Sequence, residues 1–192
     1  MIDLDPPFRS ATEDDAPELA ELVNFAGEGL PLHLWQDLAG PGEDPWDVGR
    51  ERQARKAAEG QIVVADLGEG AVASLTGYAI GPQPEPIGDD FPALFRPLQE
   101  LENEALDSWY VNVLACYPAH RGQGLGSGLL TLADRIAEAE GLRRMSVIVA
   151  ADNTGARRLY ERHGYAETAS RPCIREGWQT GTDRWVLLLK PL

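Results

Sequence analysis

The sequence predicts an α/β (α+β) fold, and three observations support that class. Apolar, β-branched runs such as residues 62–66 and 145–150 are typical of buried strands. They alternate with stretches such as residues 126–140, where apolar side chains recur at helical spacing. Residues 111–130 pass from an apolar strand through a glycine-rich turn into an apolar helix. At 192 residues, the chain is long enough for one domain with a substantial core.

The first half of the chain predicts a short strand, three helices and a hairpin. Thr12 precedes an acidic turn and Pro17, a pattern typical of a helix start, and Gly27 marks the end of that helix. A turn at residues 67–70 joins two β-branched runs and therefore predicts an antiparallel hairpin. The predicted elements are a strand ending near residues 9–12, helices over 12–27, from residue 30 and over 47–59, and strands over 62–66 and 71–80.

The second half opens with a proline-rich insertion at residues 81–108, in which we predict a helix near residues 92–106. An insertion of this length in a compact domain is typically functional or mobile. Gly141 and Gly164 end the two helices that follow. The remaining predicted elements are strands over 109–116, 145–150, 165–171 and 183–190, and helices over 126–140 and 154–162.

Composition argues against several classes of protein. No apolar run reaches the roughly 18–20 residues that a membrane span needs, and the acidic N-terminus lacks the features of a signal peptide. The two cysteines, Cys116 and Cys173, form neither a disulfide framework nor a metal-ligand spacing. A net charge of −14 disfavours nucleic acid as a partner. We therefore expect a cytoplasmic protein with no metal, no membrane association and no nucleic-acid partner.

The charges are unevenly distributed along the chain. Residues 1–110 hold 6 Lys and Arg against 23 Asp and Glu, whereas residues 111–192 hold 11 against 8. An acidic surface favours solubility, and it is also suited to attract a cationic amine. The more basic half is the one that carries the glycine-rich turn.

That turn is the strongest chemical signal in the sequence. It consists of Arg121, Gly122, Gln123, Gly124, Leu125, Gly126 and Ser127. Free N–H groups and the helix dipole favour an anion at such a helix start. Gly124 and Gly126 let the backbone approach a phosphate closely, and Arg121 adds a fixed positive charge. The spacing fits neither the dinucleotide fingerprint nor the P-loop, but it fits Arg/Gln-x-x-Gly-x-Gly/Ala.

A second motif follows about 30 residues later, where residues 152–165 read Asp-Asn-Thr-Gly-Ala-Arg-Arg-Leu-Tyr-Glu-Arg-His-Gly-Tyr. In this order the two motifs resemble those of the GNAT N-acetyltransferase superfamily. The turn resembles its pyrophosphate loop, and residues 153–165 resemble its Asn-x-x-Ala-x-x-Leu-Tyr-x-x-x-Gly-Phe/Tyr signature. The resemblance covers roughly residues 61–190.

The resemblance implies a mixed, mostly antiparallel twisted sheet of about seven strands with helices on both faces. It also implies a V-shaped split between the strands at 109–116 and 145–150. The implied organisation is one domain over residues 1–192, with a core at about 61–190 and acceptor-side segments at 27–60 and 81–108. The implied activity is N-acetyl transfer from acetyl-CoA, as co-substrate, to a primary amine that attacks directly in a ternary complex.

The resemblance also implies roles for the site residues. The pantetheine arm would pair with the backbone near Leu114, where one N–H would polarise the thioester carbonyl. Asn153 would bind the pantetheine amides or only cap its helix. Tyr160 would protonate the leaving thiolate or only pack in the core. The cofactor-binding set is Leu114, Ala115, Cys116, Arg121, Gly122, Gln123, Gly124, Leu125, Gly126, Ser127, Asn153 and Tyr160, and the catalytic pair is Tyr160 and Leu114.

Several alternatives stay open at the level of sequence. Cys116 is either an acyl carrier or a small buried side chain, and Trp35 and Trp46 either clasp a substrate or pack a core. The acceptor is expected to be a small cationic amine, with a protein amine as the alternative. A longer acyl donor, a non-catalytic acyl-CoA sensor, an unrelated phosphate-binding module and a homodimer also stay open. The candidate general bases are Glu28, His33, Glu69, Glu104, Asp107 and His120.

Overall fold

The computed structural model describes residues 4–192 and contains one seven-stranded sheet with six α-helices. The strands are β1 (Phe8–Ser10), β2 (Ile62–Asp66), β3 (Ala71–Ile80), β4 (Ser108–Cys116), β5 (Arg144–Ala150), β6 (Ala166–Pro172) and β7 (Arg184–Pro191). The helices are α1 (Ala16–Ala26), α2 (Leu30–Leu38), α3 (Pro45–Ala58), α4 (Arg96–Glu102), α5 (Leu125–Ala139) and α6 (Thr154–Arg162). The strand order is β1-β2-β3-β4-β5-β7-β6. The predicted α/β class and mostly antiparallel sheet of seven strands are therefore confirmed.

The helix in the proline-rich insertion is shorter than predicted. We expected a helix near residues 92–106, whereas α4 covers only Arg96–Glu102. Just after its end, the Asn103 side chain makes two hydrogen bonds to the backbone of Glu85, at 2.9 and 2.8 Å. Asp107 then adopts a positive φ of 54°, which is incompatible with a right-handed α-helix. These contacts with the preceding loop replace further helical turns.

Backbone contacts divide the chain into two compact units. One unit holds the chain up to Gly77 together with Val113–Leu129, and the other holds Tyr78–Asn112 together with Leu130–Leu192. The boundaries fall inside β3, β4 and α5, so these elements contribute residues to both units. The assignment of residues 1–192 to one domain stays a prediction.

In the first unit, β1, β2 and β3 form an antiparallel ladder. Ile62 and Val64 of β2 and Ala71 of β3 form a buried cluster with Leu19 of α1, Ala57 of α3 and Ala11. The α2 and α3 helices meet through Trp35 and Trp46, whose ring centroids lie 5.7 Å apart. Trp35 is buried, and a Cβ built on Gly49 of α3 would stand 2.5 Å from its ring. The packing interpretation of the two tryptophans is therefore the one that the structure supports.

In the second unit, β5 is the buried strand that the composition predicts. It pairs in parallel with β4 and antiparallel with β7, and β7 pairs in turn with β6. The hydroxyl of Ser146 on β5 is buried but lies 2.7 Å from the hydroxyl of Ser108 on β4, so the two satisfy each other. The parallel register ends at the pair Val111 and Val147, in the middle of β4. The V-shaped split itself stays a prediction.

Candidate active site

The predicted anion-binding turn forms a strand–turn–helix arrangement in the first unit. The β4 strand ends at Cys116, a 3₁₀ turn covers Pro118–His120, and α5 begins at Leu125. The amide of Tyr117 donates to the carbonyl of Val72 on β3 at 3.0 Å, which fixes the start of the turn against the sheet. The local fold is therefore the one that the glycine spacing predicts.

Five consecutive backbone amides in this turn, at residues 122–126, have no acceptor within residues 4–192. Gly122 and Gly124 adopt positive φ values of 77° and 84°. A Cβ at either position would meet no atom within 4 Å. Glycine is therefore required at these two positions by the left-handed backbone rather than by crowding. Unpaired amides at a helix N-terminus attract anions, because they combine hydrogen-bond donors with the positive end of the dipole.

Arg121 stands directly before these amides and is exposed. Its Nε donates to the carbonyl of Cys116 at 3.1 Å, which ties the guanidinium to the end of β4. Its two Nη groups have no carboxylate partner in the described part of the chain. A fixed guanidinium with two available donors is suited to bind phosphate oxygens.

The last residues of β4 include the free thiol of Cys116. Ala115 is buried, and Leu114 and Cys116 are half-buried. Burial raises the pKa of the Cys116 thiol, and the positive charge of Arg121 only partly offsets this rise. Because the thiolate is the nucleophile and the thiol is not, the structure favours a packing role for Cys116 over that of an acyl carrier.

Asn153 is the residue directly before α6, in the second unit. Its side-chain oxygen accepts a hydrogen bond from the amide of Ala156 at 3.1 Å. Its own amide donates to the carbonyl of Ala150, the last residue of β5, also at 3.1 Å. The capping role that the sequence predicts is therefore confirmed, and a contact with pantetheine stays a prediction.

Tyr160 lies on α6, two turns after Asn153, and is buried. Its ring meets that of Tyr165 edge to face, with centroids 5.5 Å apart. Burial raises the pKa of the Tyr160 hydroxyl, so the group stays protonated at neutral pH. The Tyr165 hydroxyl is fully buried and has no hydrogen-bond partner, a combination that does not apply to the Tyr160 hydroxyl. A neutral hydroxyl in such a place can donate a proton to a thiolate.

The structure thus places the predicted residues in two groups. Residues 114–127 of the strand end and turn lie in the first unit, and Asn153 and Tyr160 lie in the second. No group of His, Cys, Asp and Glu within residues 4–192 is arranged to hold a metal ion. No helix among the same residues is long and apolar enough to cross a membrane.

One carboxylate that sequence reasoning missed is Glu102, the last residue of α4. The Tyr78 hydroxyl donates to its Oε2 at 3.1 Å, and burial raises the pKa of the carboxyl. Glu104, a predicted base, instead forms an ion pair with Arg171. The sequence placed Glu102 in a helix of the acceptor-side insertion, but nothing local indicated that it faces a tyrosine on another strand.

Comparison with known proteins shows the family. The model of the acetyltransferase (GNAT) family matches residues 31–165, a range that contains both the turn and the second motif. An uncharacterised N-acetyltransferase, YycN, of Bacillus subtilis (strain 168) is 40% identical over 52 residues, which is 27% of this chain and 33% of the relative. The match therefore spans about a third of that relative's length.

Solved structures share the fold. The acetyl-CoA complex of the acetyltransferase yncA from Salmonella typhimurium has a TM-score of 0.60 and 20% identity, covering 96% of this chain and 92% of the other. An agmatine N-acetyltransferase without ligand has a TM-score of 0.66 and 18% identity, covering 96% and 98%. Identities this low show the fold alone. Because the family model covers more than half of the sequence, this chain belongs to the acetyltransferase (GNAT) family.

Proposed function

We propose that this chain is an acetyl-CoA-dependent N-acetyltransferase whose acceptor is a small cationic amine. The observation that carries the proposal is the row of five unpaired amides at residues 122–126 beside the guanidinium of Arg121. A pyrophosphate needs several donors and a positive charge in one place, and this turn offers both. The family membership and the acetyl-CoA bound in the yncA structure support the choice of this anion.

In the proposed reaction the amine attacks the thioester carbonyl directly, in a ternary complex. A backbone N–H near Leu114 would stabilise the oxyanion, and Asn153 would bind a pantetheine amide. The carbon–nitrogen bond forms, the carbon–sulfur bond breaks, and Tyr160 gives its proton to the departing thiolate. One observation supports this role of Tyr160, because burial raises the pKa of its hydroxyl and keeps the group protonated.

The acceptor is proposed from charge. The first 110 residues carry a large acidic excess, which favours positively charged ligands over neutral or anionic ones. One protein of the same fold is an agmatine N-acetyltransferase, and agmatine is a small cationic amine. We therefore place small amines ahead of a protein amine as acceptor.

The first test is thermal unfolding with acetyl-CoA, with free CoA and ATP as comparison ligands. A ligand at 100 times its Kd stabilises the folded state by about 2.7 kcal/mol. We expect this shift with acetyl-CoA, its loss in Arg121→Ala, and its retention in Arg135→Ala, a matched change at an exposed arginine on α5. No shift with any CoA species would contradict the proposal.

The second test is CoA thiol release with a panel of primary amines that includes agmatine. Release with at least one amine is the expected result. Binding of acetyl-CoA without release, across small amines and peptide N-termini, would instead identify an acyl-CoA sensor. Release with peptides alone would identify a protein amine as the acceptor.

A further inference from the structure

Glu102 lies among tyrosines in the second unit. The Tyr78 hydroxyl donates to its carboxylate at 3.1 Å, and the Tyr78 ring lies against the Tyr110 ring with centroids 5.3 Å apart. Tyr110 itself is buried. Glu102 therefore lies beside a pair of packed tyrosine rings.

The helix that carries Glu102 is held in place from its other side. Arg171 of β6 forms ion pairs with Glu100, at 2.8 Å, and with Glu104. Asn103, the next residue after Glu102, is bound to the backbone of the preceding loop through its side chain. A carboxylate on such a support keeps its position, as a binding or catalytic group must.

Glu102 differs from its two neighbours in having no cation. Arg171 forms ion pairs with Glu100 and Glu104, whereas no lysine, arginine or histidine within residues 4–192 pairs with Glu102. A carboxylate that is partly removed from water without a counter-ion carries an unfavourable free energy. Burial accordingly raises the pKa of Glu102, and the hydrogen bond from Tyr78 only partly opposes the rise. A positively charged ligand would remove that penalty.

The surrounding rings indicate which cation fits. Tyrosine faces attract ammonium groups through their quadrupole, and Tyr78 is partly exposed and accessible to a ligand. A carboxylate with a raised pKa is also better matched to accept a proton near neutral pH than an ordinary one. An alkylammonium group therefore suits both the charge and the rings.

We propose that Glu102, with the ring of Tyr78, binds the ammonium group of the acceptor amine and accepts its proton. This proposal rests on the proposed function and names the general base, which that function leaves unassigned. The ammonium gives one proton to the Glu102 carboxylate, which later releases it to water. The neutral amine then forms the carbon–nitrogen bond as the carbon–sulfur bond breaks. The thiolate takes the Tyr160 proton, and the second proton lost by nitrogen restores Tyr160 through solvent.

The test combines calorimetric binding of butylamine and putrescine with steady-state CoA release. The variant is Glu102→Gln, which keeps the shape and removes the charge, and the matched control is Glu138→Gln, at an exposed glutamate on α5. We expect Glu102→Gln to weaken amine binding at least tenfold and to lower kcat by about 10²–10⁴-fold, with acetyl-CoA binding unchanged. The control should match the wild type in both. Tyr78→Phe, which removes the hydrogen bond and keeps the ring, should have an intermediate effect.

The two measurements separate this proposal from the proposed function. If the wild type binds acetyl-CoA but acetylates no amine, the proposed function fails, and the amine titration still decides the role of Glu102. Amine binding that is lost in Glu102→Gln supports the site. Amine binding that is absent from the wild type, or equal in the wild type and Glu102→Gln, overturns the site, as does wild-type turnover by Glu102→Gln.

Discussion

Two buried tyrosines, Tyr160 and Tyr165, stand edge to face in the second unit, and the surroundings of their hydroxyls differ. If Tyr160 protonates the thiolate, Tyr160→Phe should lower kcat by about 10²–10⁴-fold and leave the affinity for acetyl-CoA unchanged. Tyr165→Phe is the matched control, since it removes a buried hydroxyl that has no partner. It should keep kcat and unfold at the same or a higher temperature. Steady-state CoA release and thermal unfolding of the two variants test these expectations. A wild-type kcat in Tyr160→Phe would contradict the acid role.

Arg9 joins two carboxylates in the first unit. It donates to both oxygens of Asp15, at 2.8 and 2.7 Å, and to Asp66 at 2.9 Å. The hydrogen bond from Arg9 holds the pKa of Asp15 below its usual value. Because the folded-state pKa is lowered, the stabilisation is present above the unfolded pKa of about 3.9 and is lost as pH falls through the folded pKa.

Asp15→Asn should therefore lower the free energy of unfolding by about 1.5–3 kcal/mol at neutral pH, the range for hydrogen bonds to charged groups. In acid, where Asp15 of the wild type is also uncharged, the difference between the two proteins should shrink. Urea unfolding across this pH range measures it. Asp14→Asn, at the exposed neighbouring position, should change little at any pH. A difference that is independent of pH would show that Arg9 is not its cause.

At the scale of elements, the first turn of α5 packs against β1 through a glycine. A Cβ on Gly128 would lie 2.4 Å from the Phe8 ring, so any side chain there displaces one of the two elements. We expect Gly128→Ala to destabilise by about 1–3 kcal/mol, the usual range for overpacking. Gly155→Ala on α6, where the nearest atom is 3.9 Å away, should instead stabilise by about 0.5–1 kcal/mol through helix propensity. Chemical unfolding measures both, and Phe8→Leu should partly rescue Gly128→Ala.

Elements whose ends are fixed by their own residues could be predicted from the sequence. Gly141 and Gly164, each two residues after the last residue of α5 or α6, adopt φ values of 79° and 88°, and Asn153 caps α6 as expected. The glycine-rich turn belongs to the same group, since its conformation follows from Gly122 and Gly124. These signals are local, and so they can be read without knowing what packs nearby.

Features that depend on distant residues could not be predicted in this way. The end of α4 is set by Asn103 with Glu85 and by the turn at Asp107. The surroundings of Glu102 depend on Tyr78 and Tyr110, which lie on two different strands. A helical pattern gives the face of a residue but not the strand register opposite it. The surroundings of Glu102 therefore escaped prediction, whereas the conformation of the turn did not.

The whole molecule carries a net charge of −14, and the acidic excess lies in residues 1–110. A field of this sign raises the local concentration of cations and the rate at which they associate. Salt weakens such an effect, because the Debye length falls from about 30 Å at 0.01 M to about 8 Å at 0.15 M. If the acceptor is a cation, its capture should thus weaken as salt is added.

We therefore expect kcat/KM for putrescine, which carries two positive charges, to fall several-fold between about 0.01 M and 0.15 M salt. The value for butylamine, with one charge and the same carbon chain, should fall less, because steering scales with ligand charge. Measuring both amines at saturating acetyl-CoA cancels any effect of salt on the anionic co-substrate. Equal salt dependence for the two amines would mean that the acidic surface serves solubility and not substrate capture. A larger fall for the diamine would make the charge of the whole molecule part of its specificity.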